Sequence, residues 1–185
     1  RCNSMDVAIL VDIIKETDKN WRFIFESPLY DEIKFPSGQL VQLLAKPYAP
    51  SEGGDSIKRN YSISSWADGT NKFELIITYL EKGLMSEYLF KEAKIGDEFV
   101  YKGPMGIFTL PDNLMDRDIY LVSTGSGISP FRSMINYIYE NKVPFKSIKL
   151  FFGTRTESDL LYRDELEKIQ NELIRPLNYR QIVFF

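Results

Sequence analysis

The run Val122-Ser-Thr-Gly-Ser-Gly-Ile-Ser-Pro-Phe131 sets two glycines between an apolar strand candidate and a helical pattern. In front of it, Asp118–Val122 reads as a short buried strand ending in an apolar triplet. Behind it, Phe131–Ile138 has helical spacing. A Gly-rich hinge between strand and helix turns backbone N–H groups outward at a helix start. That arrangement binds anions, most commonly a nucleotide phosphate. A Gly-x-Gly alone is a weak signal, so the rest of the chain has to give it meaning.

Downstream, the pattern continues as strand, helix, strand, helix, strand. The helix is expected over 129–141, a buried strand over Ser147–Phe152, and a second helix over Leu160–Leu173 with Leu161, Leu166, Ile169 and Leu173 on its apolar side. Gln181–Phe185 is a third apolar run. This alternation predicts a doubly wound parallel sheet. Such folds usually carry about five or six strands, so this α/β unit is expected to be incomplete at its C-terminal side.

Upstream the period is that of strands. Val7–Ile14, Trp21–Phe25, Gln39–Ala45, Asn60–Ser65 and Lys72–Leu80 are strand candidates separated by turn residues. Pro47–Asp55, with its Pro and Gly, reads as a surface loop. Ser86–Ala93 is one inserted helix, with Ser86 as its expected N-cap. Gly103-Pro-Met-Gly106 reads as a rigid turn and Pro111–Arg117 as a linker. The expectation is a two-domain chain: an antiparallel Greek-key β-barrel over 1–113, then the α/β unit over 114–185.

Composition narrows the chemistry. The chain has 185 residues, 44% hydrophobic and 26% charged, a net charge of −3 and a pI near 5.2. No general basic footprint for nucleic acid is present, and no apolar run reaches the ~18–20 residues of a membrane span. There is no His, which excludes an imidazole base and a Ser-His-Asp triad. The one Cys, Cys2, excludes a disulfide within the chain and a Cys-clustered metal site. A reduced, cytoplasmic setting, or the cytoplasmic face of a redox assembly, is expected. An enzyme with this inventory needs a cofactor for redox chemistry.

Two barrel motifs could supply a second phosphate site. On the Arg59-Asn-Tyr-Ser62 strand, alternation sets Arg59, Tyr61 and Ile63 on one face. An Arg there can clamp phosphate, and a Tyr one pleat along can lie against a planar heterocycle. By itself the tetrapeptide is better read as an exposed strand edge with an incidental Arg and Tyr. Gly83-Leu-Met-Ser86 opens the barrel's helix, where free N–H groups can hold a pyrophosphate. By itself it is better read as a plain cap after a tight turn.

Taken in order, these motifs resemble the ferredoxin–NADP reductase-like flavoproteins. Arg59-x-Tyr-Ser62 is similar to the family's flavin strand, and Gly83-x-x-Ser86 to its pyrophosphate helix. Gly103-Pro-Met-Gly106 is similar to the turn between its domains, and Thr124-Gly-Ser-Gly-Ile-Ser-Pro130 to its nicotinamide-nucleotide loop. Phe152-Gly-Thr-Arg-Thr156 with Asp159-Leu-Leu-Tyr162 is similar to its second nucleotide-binding edge. The resemblance implies that Arg59 holds the flavin phosphates, Tyr61 packs on the isoalloxazine, and Ser62 lies near its N5 edge. It implies pyrophosphate contacts from Gly83, Leu84, Met85 and Ser86, and cofactor contacts from Ile76 and Thr78. Gly125 and Gly127 let the NAD(P)H pyrophosphate approach, Pro130 starts the helix, and Thr154 and Arg155 lie by the adenosine ribose. Ser62 and Thr124 stand nearest the hydride path.

The pyrophosphate motif favours FAD over FMN. NADPH and NADH both remain open, because Arg155 suits a 2′-phosphate, a stacked adenine or plain solvation. The implied activity passes electrons from NAD(P)H through FAD to a one-electron acceptor: a ferredoxin, flavodoxin, iron–sulfur or haem partner, a fused redox domain, or a small acceptor. The competing expectation is a non-catalytic flavin- or nucleotide-binding relay or regulatory module of a larger assembly. The family's Cys-Gly-Pro motif and flavin-covering C-terminal segment would follow Phe185. Oligomeric state is left open, and Lys142–Lys149, with three Lys, reads as a solvated face.

Overall fold

The computed structural model describes residues 5–44 and 57–173, and the backbone of 177–183. The expected Pro47–Asp55 loop, Cys2 and the end of the last apolar run lie outside the described residues. The first unit is a six-stranded antiparallel sheet in the order β4-β3-β6-β1-β2-β5. Its strands are β1 (Met5–Lys15), β2 (Asn20–Glu26), β3 (Leu40–Leu44), β4 (Lys58–Ser62), β5 (Lys72–Thr78) and β6 (Glu98–Met105). Just past β4, the Ser64 N–H donates to the Glu74 carbonyl of β5 at 2.8 Å, drawing the two ends of that order together into a barrel. Aromatic residues fill it: Phe25 stacks on Phe73 with centroids 5.4 Å apart, and Phe99 meets Phe25 edge-on at 5.3 Å.

The strand β5 is buried on both faces. Its Phe73, Leu75 and Ile77 enter the barrel core, while Ile76 belongs to the core of the second unit. Period-two alternation therefore makes one strand the wall between two cores. The sequence reading extended β4 to Ser65, but the strand ends at Ser62 because Ser64 turns away to pair with Glu74.

Helix α1 spans Leu84–Lys91. It starts earlier than expected, and Gly83 is its N-cap. Ser86 sits one turn inside, where its hydroxyl accepts the Leu80 N–H at 3.2 Å and donates back to the Leu80 and Gly83 carbonyls. Ser86 thus ties the preceding turn to the helix rather than capping it. The Gly103-Pro104 bond is cis, and β6 runs through it to Met105, so the chain turns only at Gly106, with φ +109°.

The second unit holds β7 (Asp118–Thr124), α2 (Ser129–Glu140), β8 (Ser147–Thr154), α3 (Arg163–Glu172) and β9 (Leu177–Val183). The strands are parallel in the order β7-β8-β9. The strands step in one direction across the sheet, an order in which right-handed crossovers would put both helices on one face, and residues of both helices enter one core with Leu121, Leu150 and Phe152. The other face of β7 shows Tyr120 and Val122 to solvent, at 58% and 70% exposure, so β7 is not the fully buried strand expected from its sequence. Helix α3 begins at Arg163, not Leu160, because Tyr162 takes a left-handed conformation with φ +58° that no helix can include. Of the three Lys between 142 and 149, Lys146 pairs with Asp118 at 2.8 Å and Lys149 lies over the Tyr120 ring. No helix among the described residues is long and apolar enough to cross a membrane.

Gly38 sets how closely the units approach. Its φ is +103°, and a Cβ there would lie 2.1 Å from the Phe108 carbonyl oxygen and 2.5 Å from the Met134 methyl of α2. Gly38→Ala is expected to destabilise the protein by roughly 2–4 kcal/mol, from left-handed strain plus backbone overlap. Urea denaturation of the variant should show a midpoint well below wild type.

Candidate functional site: a cleft between the two units

The loop after β7 forms a short 3₁₀ turn over Gly125–Ile128 before α2 begins at Ser129, with Pro130 second in the helix. The Ser129 hydroxyl donates to the Ser126 carbonyl at 2.6 Å and holds this turn closed. Gly125 has φ +51°, and a Cβ built there meets nothing within 4 Å. At Gly127 a Cβ would meet only the Ser123 Cβ, at 3.8 Å. Both glycines therefore face open space, which is the room a phosphate needs to reach the backbone.

The space at Gly125 opens onto a cleft of about 300 Å³, whose lining does not include Gly127. Thr124, Gly125, Gly153, Thr154, Arg155 and Asp159 line it from the second unit; Lys19, Asn20 and Thr78 line it from the barrel. The expected site residues Thr78, Thr124, Gly125, Thr154 and Arg155 are thus brought together, although they come from three strands and the two loops that follow β7 and β8. The wall at Thr154 is fixed by its hydroxyl donating to the Thr156 carbonyl at 2.9 Å, and by Thr156 donating to Asp159 at 3.0 Å. Arg155 is exposed and has no ion-pair partner among the described residues.

The other expected residues lie on the barrel. Along β4, Ile63 just beyond the strand is fully buried, Tyr61 half-buried and Arg59 exposed, so their shared face runs from core to solvent. Burial pushes the Tyr61 phenol up to about 12, with the nearby Arg59 charge pulling weakly the other way. Tyr61 therefore stays a neutral ring suited to stacking. The Arg59 guanidinium donates to the Lys58 carbonyl at 2.8 Å. Ser62 is half-buried at the end of β4. At α1, Leu84 is exposed while Met85 and Ser86 are buried, so a ligand there would meet the backbone N–H groups that precede the first helical hydrogen bond, Glu87 to Gly83 at 2.8 Å. Ile76 is buried to 3% in the second unit's core, which leaves its side chain out of the cleft. The residues present fit a dinucleotide held by the barrel and a second nucleotide held by the glycine turn.

Comparison with known proteins agrees. Residues 8–110 match the oxidoreductase FAD-binding domain, and residues 121–182 match the oxidoreductase NAD-binding domain. The chain belongs to the ferredoxin–NADP reductase-like flavoprotein family. Ferredoxin–NADP reductase B of Sorangium cellulosum is 37% identical over 135 residues, covering 73% of this chain and 52% of that one. NADH-cytochrome b5 reductase 2 of Candida glabrata is 31% identical over 176 residues, covering 94% and 57%. A ferredoxin NADP⁺ reductase from Neisseria gonorrhoeae, solved with bound FAD and NADP, shares the fold with a TM-score of 0.79 at 23% identity, over 97% of this chain and 68% of that one. The chain spans about half the length of the two curated relatives.

In this ferredoxin–NADP reductase-like chain, the two cleft walls are joined by buried charges that sequence reasoning did not single out. Glu74 of β5 is 5% exposed and Arg132 of α2 is 4% exposed, and they pair across the units at 2.9 Å. The other Glu74 oxygen takes Arg22 at 2.6 Å. Ser64 and Tyr162 donate their hydroxyls to Glu74 at 2.8 and 2.9 Å. Arg132 also forks onto Glu165 of α3 at 2.9 and 2.8 Å, and its guanidinium lies 4.2 Å from the Tyr162 ring centroid. Burial alone would push the Glu74 carboxyl up, but Arg132, Arg22 and Ser64 together outweigh it and hold it below the ordinary carboxylate range. Burial, reinforced by the Glu74 charge, pushes the Tyr162 phenol well up, so it remains a donor. The readable signal was a Glu in the middle of an apolar strand and an Arg within an apolar helix, since buried charges require partners.

Arg132→Leu leaves Glu74 with one cation in a dry site and should cost about 3–5 kcal/mol in urea unfolding. Because folding depresses the Glu74 pKa, its contribution is complete above the unfolded value of about 4.3 and is lost as pH falls through the lower folded value. Urea midpoints measured between neutral and strongly acid pH should therefore decline more gently for Glu74→Gln than for wild type.

Proposed function

We propose that this chain forms the catalytic core of a reductase that takes reducing equivalents from NAD(P)H and passes them to a one-electron acceptor protein or a small acceptor. The flavin belongs to residues 1–113 and the nicotinamide nucleotide to residues 114–185. The observation that carries this reading is the shared cleft: Thr124 and Gly125 of a glycine turn face Thr78 of the barrel across it. FAD held by the barrel would supply the redox chemistry, hydride acceptance and single-electron release.

The chain's own work is binding and orientation. Arg59 neutralises flavin phosphate with a charge-assisted fork. Tyr61, neutral and supported from below by the barrel core, offers a ring face to the isoalloxazine, with Ser62 beside it. The N–H groups of Leu84, Met85 and Ser86 point a helix N-terminus at the pyrophosphate. Gly125 and Gly127 admit the second nucleotide's phosphates, and Thr154 and Arg155 flank its ribose. The buried Glu74–Arg132 pair holds the two walls in register, so that Thr124 faces the barrel. A cytoplasmic setting, with a ferredoxin, flavodoxin, iron–sulfur or haem partner, is what this reading implies.

Arg59→Ala is expected to lower flavin occupancy through an affinity loss of about tenfold or more, read by absorbance after desalting. Tyr61→Ala should shift the bound flavin's absorption bands. Steady-state NAD(P)H oxidation by the full-length protein with an artificial acceptor decides the activity. Flavin binding without reduction by either nucleotide would instead make the chain a binding module.

A further inference from the structure

The hairpin joining β1 to β2 takes no part in the roles above, yet it is fastened to the cleft. Asn20 is buried, and its side-chain oxygen accepts the Thr78 hydroxyl at 2.6 Å. Its side-chain nitrogen donates to the Thr17 hydroxyl at 3.0 Å, which also accepts the Asn20 N–H at 3.1 Å. The Glu16 and Thr17 N–H groups return to the Asn20 carbonyl at 3.1 and 3.0 Å, and the Tyr79 N–H donates to the Lys19 carbonyl at 2.7 Å. The backbone of Lys19 is therefore held on both sides, at the edge of the cleft that Thr78 also lines.

Lys19 itself is exposed and has no ion-pair partner among the described residues. Its neighbour Lys15 is already paired, with Asp18 at 3.0 Å. Across the same cleft stands Arg155, equally without an ion-pair partner among the described residues. Asp159 is the carboxylate on this lining, and the Thr156 hydroxyl occupies one of its oxygens. Two cations, one from each unit, thus border one cavity whose lining holds a single, partly engaged carboxylate. Most exposed lysines are simply solvated. Lys19 differs because its backbone is fixed, which lowers the entropy lost when its ammonium settles on a ligand. The chemistry that matches two cations and a glycine turn lining one cavity is a phosphate or pyrophosphate.

We propose that Lys19 is a barrel-side phosphate contact for the nicotinamide nucleotide, so that the nucleotide is gripped from both units and not from the α/β unit alone. This rests on the functional reading above, and it gives the β1–β2 hairpin a share in cosubstrate affinity. The loose end of the ligand could be either of two phosphates of the same molecule, the pyrophosphate or a 2′-phosphate, and NAD⁺ separates them from each other.

The test is titration of the full-length, flavin-loaded protein with NADP⁺ and with NAD⁺ at low salt, followed by flavin difference absorbance and by calorimetry. Because Lys19 is exposed, Lys19→Gln should keep flavin content and thermal midpoint. Its dissociation constant should rise roughly 5- to 10-fold, as loss of one charge-assisted contact implies. Lys19→Arg should remain within about twofold of wild type, and the Gln deficit should shrink at about 0.5 M salt through screening. A deficit for both nucleotides places Lys19 on the pyrophosphate; a deficit for NADP⁺ alone places it on the 2′-phosphate. If wild type binds a nucleotide and Lys19→Gln binds it equally well, this inference is overturned and the functional reading stands. If wild type binds neither nucleotide, both fall.

Discussion

The position of one carboxylate governs how this protein is assembled. Glu74 sits in the middle of β5 with its side chain turned out of the barrel, and almost no solvent reaches it. A lone carboxylate there would be intolerable. It is satisfied by a cation from its own unit, Arg22, and a cation from the other, Arg132, with the Ser64 and Tyr162 hydroxyls completing its oxygens. Arg132 needs Glu165 in turn, and Asn136 supports Glu165 at 2.6 Å. Buried ion pairs contribute little net stability compared with apolar packing, but they penalise every arrangement that separates them. The cluster thus acts as a specification of geometry: the docking of the α/β unit on the barrel satisfies every member.

The cleft inherits its shape from this docking. Its walls, Thr78 on one side and Thr124 with Thr154 on the other, stand at the ends of β5, β7 and β8. Gly38 lets α2 and the Phe108 segment come close enough for the charges to meet. Nothing in the cleft carries strong proton chemistry, in keeping with a chain that has no His. Under the proposed function its work is phosphate recognition and placement, with the redox chemistry left to the cofactors.

What could be read in the sequence follows from the range of the signals. The Gly125–Gly127 turn, the Arg59–Tyr61 strand face and the change of period near Asp118 are local patterns, and local patterns survive in a single sequence. Their order along the chain was enough to place the family. The Glu74 partners lie 58 and 88 residues away, at Arg132 and Tyr162, and no periodicity connects them. Tyr162 takes a left-handed conformation that glycine usually marks, so the true start of α3 was hidden. Ser86 suited an N-cap on chemistry alone; only the fold shows that it serves the Leu80 turn. The exposed face of β7 was misjudged because Tyr120 and Val122 are apolar, and apolarity does not say which face is covered.

The two-sided burial of β5 has a consequence for how the chain finds its fold. Phe73, Leu75 and Ile77 point one way, Glu74 and Ile76 the other. If β5 slipped by one residue against β2, every side chain would change sides. Glu74 would then enter a core of phenylalanines, and a phenylalanine would meet two arginines. The register of β5 is therefore specified from both faces, by a barrel core that excludes Glu74 and by the Arg22 and Arg132 guanidiniums that require it.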